Sequence, residues 1–220
     1  VKGVPPVKDP LVTFLFGLFF ILFVWYIFGS RQNRQRSYRF FRLLRGIFAE
    51  ELGARANFKS RAEVTVVDPV EPYARANIQL MMEEREILFL WLFTHFVKGK
   101  RDQFVLRAEF EKEPANELLV ADPNSDLGKL SLSHARQKGL TMERTTGVDG
   151  RVLEFAASSG AHKKLAGHLA RTILQKHWPV TVVSYHKHRP HLVAVCGISR
   201  EDMLSQFFRR VRKLGFEVLK

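Results

Sequence analysis

Hydrophobic and polar positions divide the chain into a long apolar opening, a basic amphipathic stretch and a series of short patterned segments. Residues 11–28 carry no charge, and Thr13 is their one aliphatic hydroxyl. As a helix these eighteen residues would be roughly 27 Å long, enough to cross the hydrocarbon core of a bilayer with little tilt. A secretory leader would have a shorter apolar core and then small residues. Here phenylalanines at 14, 16, 19, 20, 23 and 28 run almost directly into Arg31, which is the pattern of an anchor. From Tyr38 onward, Phe40, Phe41, Leu44, Ile47, Phe48 and Leu52 recur at helical spacing, with Gly53 as a stop. This second helix is amphipathic, and its apolar stripe has two possible uses. It can dip into the membrane interface while arginine stems lie along it, or it can pack on its own domain.

Shorter periods follow. "RAEVTVVDP" alternates Ala62, Val64 and Val66 with Glu63 and Thr65 and ends at Pro69, a strand signal, and "NIQLMM" reads as another strand. Residues 87–97 are apolar nearly all round, with Glu83 and Glu84 before them and Lys98 and Lys100 after, the charge order that suits a helix dipole. Eleven residues are too few to span a bilayer. The pattern therefore predicts a core helix with Leu90 and Phe93 buried, the alternative being an outer face that meets another apolar surface. "DQFVLRAEF" and "NELLVADP" are two strands joined around Pro114 and Asn116, followed by a polar helix from about Ser125 to Lys138.

The second half repeats this grammar: a helix, "AHKKLAGHLARTILQKHW", stopped by Pro179; strands "VTVVSYH" and "HLVAVCG" joined by "KHRP"; and a last helix with Ser199 as N-cap and Gly215 past its end. On that helix Met203, Leu204, Phe207, Phe208, Val211 and Leu214 form the stripe to be buried, leaving Arg209, Arg210, Arg212 and Lys213 toward solvent. An α-β-β-α unit thus occurs twice, with a hairpin turning at Asp149 and Gly150 between the two. The fold class is α+β: one N-terminal transmembrane helix, then a cytosolic domain of antiparallel strands and helices in two α-β-β-α units. The expected boundaries are a tail at 1–10, the membrane helix at 11–29, the juxtamembrane helix at 30–53 and the domain at 54–220, its halves about 54–140 and 141–220. The start at Val1 and the stop at Lys220, directly after a helical pattern, read as the ends of a piece of a longer protein.

Charge orients this arrangement. Arg31, Arg34, Arg36, Arg39, Arg42 and Arg45 follow the anchor without one acid, whereas the other flank offers Lys2 and Lys8 against Asp9. The positive-inside rule puts the N-terminus outside or in a lumen and everything after Ser30 in the cytosol, with Trp25 and Tyr26 as interfacial rings. The six arginines and these two aromatics are the expected lipid contacts. The net charge of +13 has a second concentration in residues 161–220, where twelve lysines and arginines face three acids. Lys187, His188, Arg189, Arg209, Arg210, Arg212 and Lys213 are the expected contacts for RNA phosphates or an acidic partner. The single cysteine, Cys196, excludes a disulfide framework and a cysteine zinc site and fits a reducing compartment.

Catalytic patterns are thin. "TTGVDGRV" lacks the spacing and the Lys-Ser/Thr ending of a phosphate loop, and neither a nucleophile elbow nor HExxH occurs. His186, His188 and His191 crowd one loop and could hold a zinc ion, but Lys187 and Arg189 alternate with them and would repel a cation. An exposed, positively charged loop is the expectation, with no metal, no cofactor and no catalytic residue. "MMEERE" and "FEKEPANE" read as solvated acidic ends without calcium-site spacing.

In order and pattern the chain resembles the calumin family, single-pass endoplasmic-reticulum proteins with a lumenal acidic region, one membrane helix, a cytosolic α+β domain and a C-terminal coiled coil. The matching stretches are "NRQRSYRFF", "ANIQLMMEEREILFLWLFTHFVKGKRDQFVLRAEF" and "HLVAVCGISREDMLSQFFRRV". The resemblance covers most of residues 11–218, while the acidic region and the coiled coil are absent from these 220 residues, so calcium binding does not carry over. It implies a non-enzymatic subunit of the protein-associated-with-translocon (PAT) complex and of the multipass translocon. Such a subunit sits in the endoplasmic-reticulum membrane, or in the plasma membrane if the source is archaeal. Its implied partners are the Sec translocon channel and other translocon-associated membrane proteins, the ribosome through its RNA, and nascent multipass membrane proteins. Two rival readings come from the residues alone: a tethered scaffold for anionic lipid, and a tethered metal-dependent enzyme built on the three histidines.

Overall fold

In the computed structural model the described residues are 9–220 except 53–54, 61, 67, 69 and 199–200, with backbone alone described at 50–52, 56–60 and 201. The chain divides into two compact units, one of residues 1–36 with Met82–Arg101, the other of Ser37–Met81 with Asp102–Lys220. The fold is α+β: a long apolar N-terminal helix and an antiparallel sheet domain with helices. Helix α1 is one unbroken element, Pro10–Leu52, rather than the two helices expected at 11–29 and 30–53. Nothing in "FGSRQNRQRSYRF" breaks a helix, since it contains no proline and its one glycine is tolerated mid-helix.

The larger unit is built on one sheet. Its strands are β1 (Ala56–Ser60), β2 (Glu63–Val66), β3 (Tyr73–Met81), β4 (Gln103–Phe110), β5 (Leu118–Ala121), β6 (Glu143–Thr146), β7 (Val152–Ala157), β8 (Val180–Tyr185) and β9 (Leu192–Gly197). They lie in the order β1-β2-β3-β4-β9-β8-β5-β7-β6, and every neighbouring pair is antiparallel. The two strand pairs expected to repeat are not two equal hairpins. Strands β8 and β9 pair directly, whereas β4 and β5 are split apart and flank them. The hairpin at Asp149 and Gly150 is present between β6 and β7, with Gly150 at a φ of 78°.

Alternation along each strand distributes the side chains to two faces. Toward one face point Ile78, Leu80, Phe104, Leu106, Phe110, Leu118 and Val120, all buried. That face is covered by the later turns of α1, by α4 (Gly160–Gln175) and by α5 (Glu201–Val218). The amphipathic stripe of α1 packs on its own domain: Phe40, Phe41, Leu44, Ile47 and Phe48 are buried. The Phe40 ring lies 5.6 Å from Phe104, and Phe48 lies 5.6 Å from Phe208 on α5. The interfacial placement of this stripe is therefore overturned, because its apolar face is already occupied by protein. On the opposite face α3 (Asp126–Gln137) covers Leu119, Ala121 and Val182 through Leu132 and Ala135. Its N-cap, Ser125, accepts a hydrogen bond from the Gly128 amide at 2.9 Å.

On α5 the expected stripe is buried at Leu204, Phe207, Phe208, Val211 and Leu214, with Met203 half-buried. The expected cap at Ser199 and stops at Gly53 and Pro69 lie outside the described residues. Gly215 does not end the helix, which continues to Val218. A Cβ there would stand 2.8 Å from both the Pro72 ring and the Tyr73 hydroxyl, so the glycine serves a close approach rather than a stop.

Candidate functional site

The smaller unit places an apolar segment beside the apolar part of α1. Among the described residues one helix is long and apolar enough to cross a membrane, and none of its apolar window is buried against protein. Phe14, Phe16, Phe19 and Phe20 are all more than three-fifths exposed. Against the end of this apolar run packs the excursion Met82–Arg101. It contains α2 (Leu88–Leu92), which continues as a π-helical turn, Phe93–Val97.

This segment is not the core helix expected from its composition. Leu90 is 40 % exposed and Phe93 is 49 % exposed, and Ile87, Phe89, Leu92, Phe96 and Val97 are exposed as well. A residue pattern that is apolar on every side says only that no side is meant for water. It does not say whether protein or another apolar medium covers it.

The buried side of the segment is polar. Glu83 and Arg85 are almost wholly enclosed and pair at 3.0 Å. One Glu83 carboxylate oxygen accepts the Trp91 indole N–H at 2.8 Å and lies 2.7 Å from His95 Nδ1. The Arg85 guanidinium donates to the Asn33 side-chain oxygen at 3.0 Å, and the Asn33 amide donates back to the Glu83 carbonyl at 3.1 Å. The Trp25 indole N–H donates to the Arg85 carbonyl at 2.9 Å, and its ring lies 5.5 Å from that of Trp91. At Gly29 a Cβ would collide with the Arg85 carbonyl, so only glycine lets the two backbones approach there. An ion pair taken out of water is tolerated when its remaining donors and acceptors are satisfied, and here tryptophan, histidine and asparagine satisfy them. "MMEERE" is thus not a solvated acidic end: Glu83 and Arg85 fasten the segment to α1.

Basic residues follow the apolar stretches. Arg31, Arg34, Arg36, Arg39, Arg42 and Arg45 are all exposed along α1. Tyr26 is exposed, while Trp25 is half-buried in the clamp. Where the segment leaves, Lys98 sits over the Phe93 ring, Lys100 pairs with Glu84, and Arg101 donates to the His95 carbonyl.

The histidine loop and the last helix are separate features of the sheet domain. Lys187, His188 and Arg189 are exposed in the β8–β9 turn. His191 is buried, stacked on Phe110, and its Nδ1 accepts the Phe110 amide at 2.9 Å. The three imidazoles therefore do not share one open loop. Among the described residues no group of three His, Cys, Asp or Glu is placed to hold a metal ion. On α5, Arg209 and Lys213 are exposed, whereas Arg210 faces Glu217 at 3.7 Å and Arg212 donates to the Glu71 carbonyl at 2.7 Å. A half-open cavity of about 320 Å³ lies between α3 and strands β5 and β8, lined in part by Glu117, His134, Lys138 and His186. The Glu117–Lys138 ion pair spans its wall.

Compared with protein-family models and with curated proteins, the chain matches none of them.

Proposed function

We propose that this protein is a non-enzymatic factor of membrane-protein biogenesis, a translocon-associated chaperone subunit that helps multipass membrane proteins insert and fold beside the Sec channel and near the ribosome. The observation that carries this reading is the exposed apolar segment Leu88–Val97 fastened to a helix long enough to span. A lone anchor needs no second apolar surface at its cytosolic end. A factor that meets entering transmembrane helices does, because such helices are apolar on every side and associate in lipid by close van der Waals packing against another apolar surface. The arginine flank supports an N-out, C-in orientation in the endoplasmic-reticulum membrane, or in an archaeal plasma membrane. The family resemblance supplies the translocon.

Copurification in a mild detergent tests this directly. Tagged protein should bring down Sec channel subunits, ribosomal proteins and nascent multipass chains. A preparation free of all three would sink the reading. The six exposed arginines favour a second reading, a tethered scaffold for anionic lipid, which predicts sedimentation with anionic liposomes and none with ribosomes.

A further inference from the structure

We infer that residues Met82–Arg101 form a second membrane-embedded element, a shallow re-entrant segment whose exposed apolar side chains lie among lipid acyl chains on the arginine-flanked side of the bilayer. The inference rests on the reading of α1 as a membrane span, and three observations carry it.

The first is depth. Trp91 packs on Trp25, which lies inside the apolar run, and the six helical steps from Trp25 to Arg31 correspond to about 9 Å along the axis. If α1 crosses the bilayer, Trp91 stands below the level of the arginines, within the range that interfacial helices reach. The second is the sorting of polar atoms. Backbone and side-chain donors in hydrocarbon must be satisfied internally. The Trp91 N–H goes to Glu83, the Thr94 hydroxyl donates to the Leu90 carbonyl at 2.8 Å, and His95 meets Glu83. What faces outward is Ile87, Phe89, Leu90, Leu92, Phe93, Phe96 and Val97. The third is the rim. Lys98, Lys100 and Arg101 follow the last apolar residue at once, as Arg31 and Arg34 follow the anchor, so the excursion and the anchor both leave the apolar zone through a basic belt suited to anionic headgroups.

A soluble protein partner could cover an apolar face, but it would not require Trp91, Thr94 and His95, the polar side chains within the apolar stretch, to bond inward. Continuity with the anchor gives lipid as the occupant.

Cysteine accessibility in vesicles tests this. The one native thiol, Cys196, is buried and its ionisation is pushed up to about 12 by burial, which leaves a quiet background for a thiolate-dependent reagent. The full chain is reconstituted in phosphatidylcholine–phosphatidylserine vesicles as the variants Phe16→Cys, Phe89→Cys, Phe96→Cys and Val148→Cys. A water-soluble maleimide is then admitted to both faces. Val148 is fully exposed at the tip of the β6–β7 hairpin and reports the open rate. Phe89→Cys and Phe96→Cys should label more than about tenfold more slowly than Val148→Cys, because a thiol in hydrocarbon stays protonated and out of reach. Their protection should not change with the lipid-to-protein ratio. Labelling of Phe89→Cys and Phe96→Cys at the Val148→Cys rate, with Phe16→Cys protected, overturns the embedded segment and leaves the anchor standing. Labelling of Phe16→Cys as well removes the anchor too. Protection that appears only at high protein density identifies a second copy of the chain as the cover and also overturns the inference.

Discussion

At the scale of single residues, buried groups that cannot change without penalty make the sharpest expectations. His191 is enclosed, and its Nδ1 is already used as an acceptor by the Phe110 amide. Burial, with Arg189 nearby, holds its imidazole below the ordinary value, and burial does the same to His186. The unfolded chain therefore takes up these protons before the folded one. Stability is fully present above the unfolded value of about 6.5 and is lost as pH falls below it. Thermal unfolding of the full chain in detergent should show a midpoint that drops between about pH 7 and pH 5.5. His191→Leu should flatten part of that slope. It also leaves the Phe110 N–H without an acceptor, at about 1–3 kcal/mol; an unchanged slope would mean that His191 protonates freely when folded. Glycines give a second contrast. Alanine normally stabilises a helix by about 1 kcal/mol over glycine, and Gly46→Ala should show that gain, since its Cβ meets nothing within 4 Å. Gly215→Ala should instead destabilise. Its Cβ would press on the Pro72 ring and on Tyr73, whose hydroxyl is held by the Val211 carbonyl at 2.8 Å and cannot swing away. Equal midpoints for the two variants would refute the close-packing account.

At the scale of elements, most helices and strands were legible because their period is local. α3, α4 and the β6–β7 and β8–β9 hairpins fall where apolar spacing and turn residues put them, and α5 falls on its apolar stripe although it runs past the expected stop at Gly215. The split of β4 from β5 was not legible, because strand partnership is decided by which apolar faces meet across the sheet rather than by any residue in the connecting loop. The clamp was equally hidden. Glu83, Arg85 and His95 look like ordinary surface charges in sequence, and only the fold brings Asn33, about fifty positions earlier, to Arg85. The one available signal was the tryptophan pair: Trp25 and Trp91 each need a hydrogen-bond acceptor if buried, and each finds one in the 83–85 stretch. The burial of Leu90 and Phe93 was misjudged because composition cannot distinguish a core from an apolar surface left open. Removing the clamp's charge should release the segment. Glu83→Gln removes the carboxylate that pairs with Arg85 at 3.0 Å, at about 3–5 kcal/mol for a broken buried pair. Limited trypsin digestion in detergent should then cut at Lys98, Lys100 and Arg101 much faster than in the parent. Identical digestion would show that the segment is held by its apolar contacts alone.

At the scale of the whole molecule, exposed basic residues lie both along α1 and on the sheet domain, and salt can tell their expected partners apart. The arginines of α1 follow the apolar run and suit anionic headgroups, whereas Lys187 and Arg189 in the β8–β9 turn and Arg209 and Lys213 on α5 are exposed on the sheet domain. Arg210 and Arg212 are partly withdrawn, the first toward Glu217 and the second onto the Glu71 carbonyl, so reversing them would test the fold as much as a partner. The turn and the late part of α5 are neighbours, because Tyr185 at the end of β8 donates to the Val211 carbonyl at 3.0 Å. If this patch meets ribosomal RNA, its binding is dominated by phosphate neutralisation and counterion release, and each cation taken from a phosphate should lower the salt slope by roughly one. Lys187→Glu, Arg189→Glu and Lys213→Glu together should therefore flatten the salt dependence of ribosome co-sedimentation by about three units and weaken binding at low salt. The same triple variant should keep its affinity for anionic vesicles, since Arg31 to Arg45 are untouched. Should vesicle binding fall in parallel with ribosome binding, the two basic surfaces act as one lipid-facing patch, and the scaffold reading replaces the biogenesis one. Should ribosome binding persist unchanged and insensitive to salt, the ribosome is met by the anchor and the apolar segment beside it.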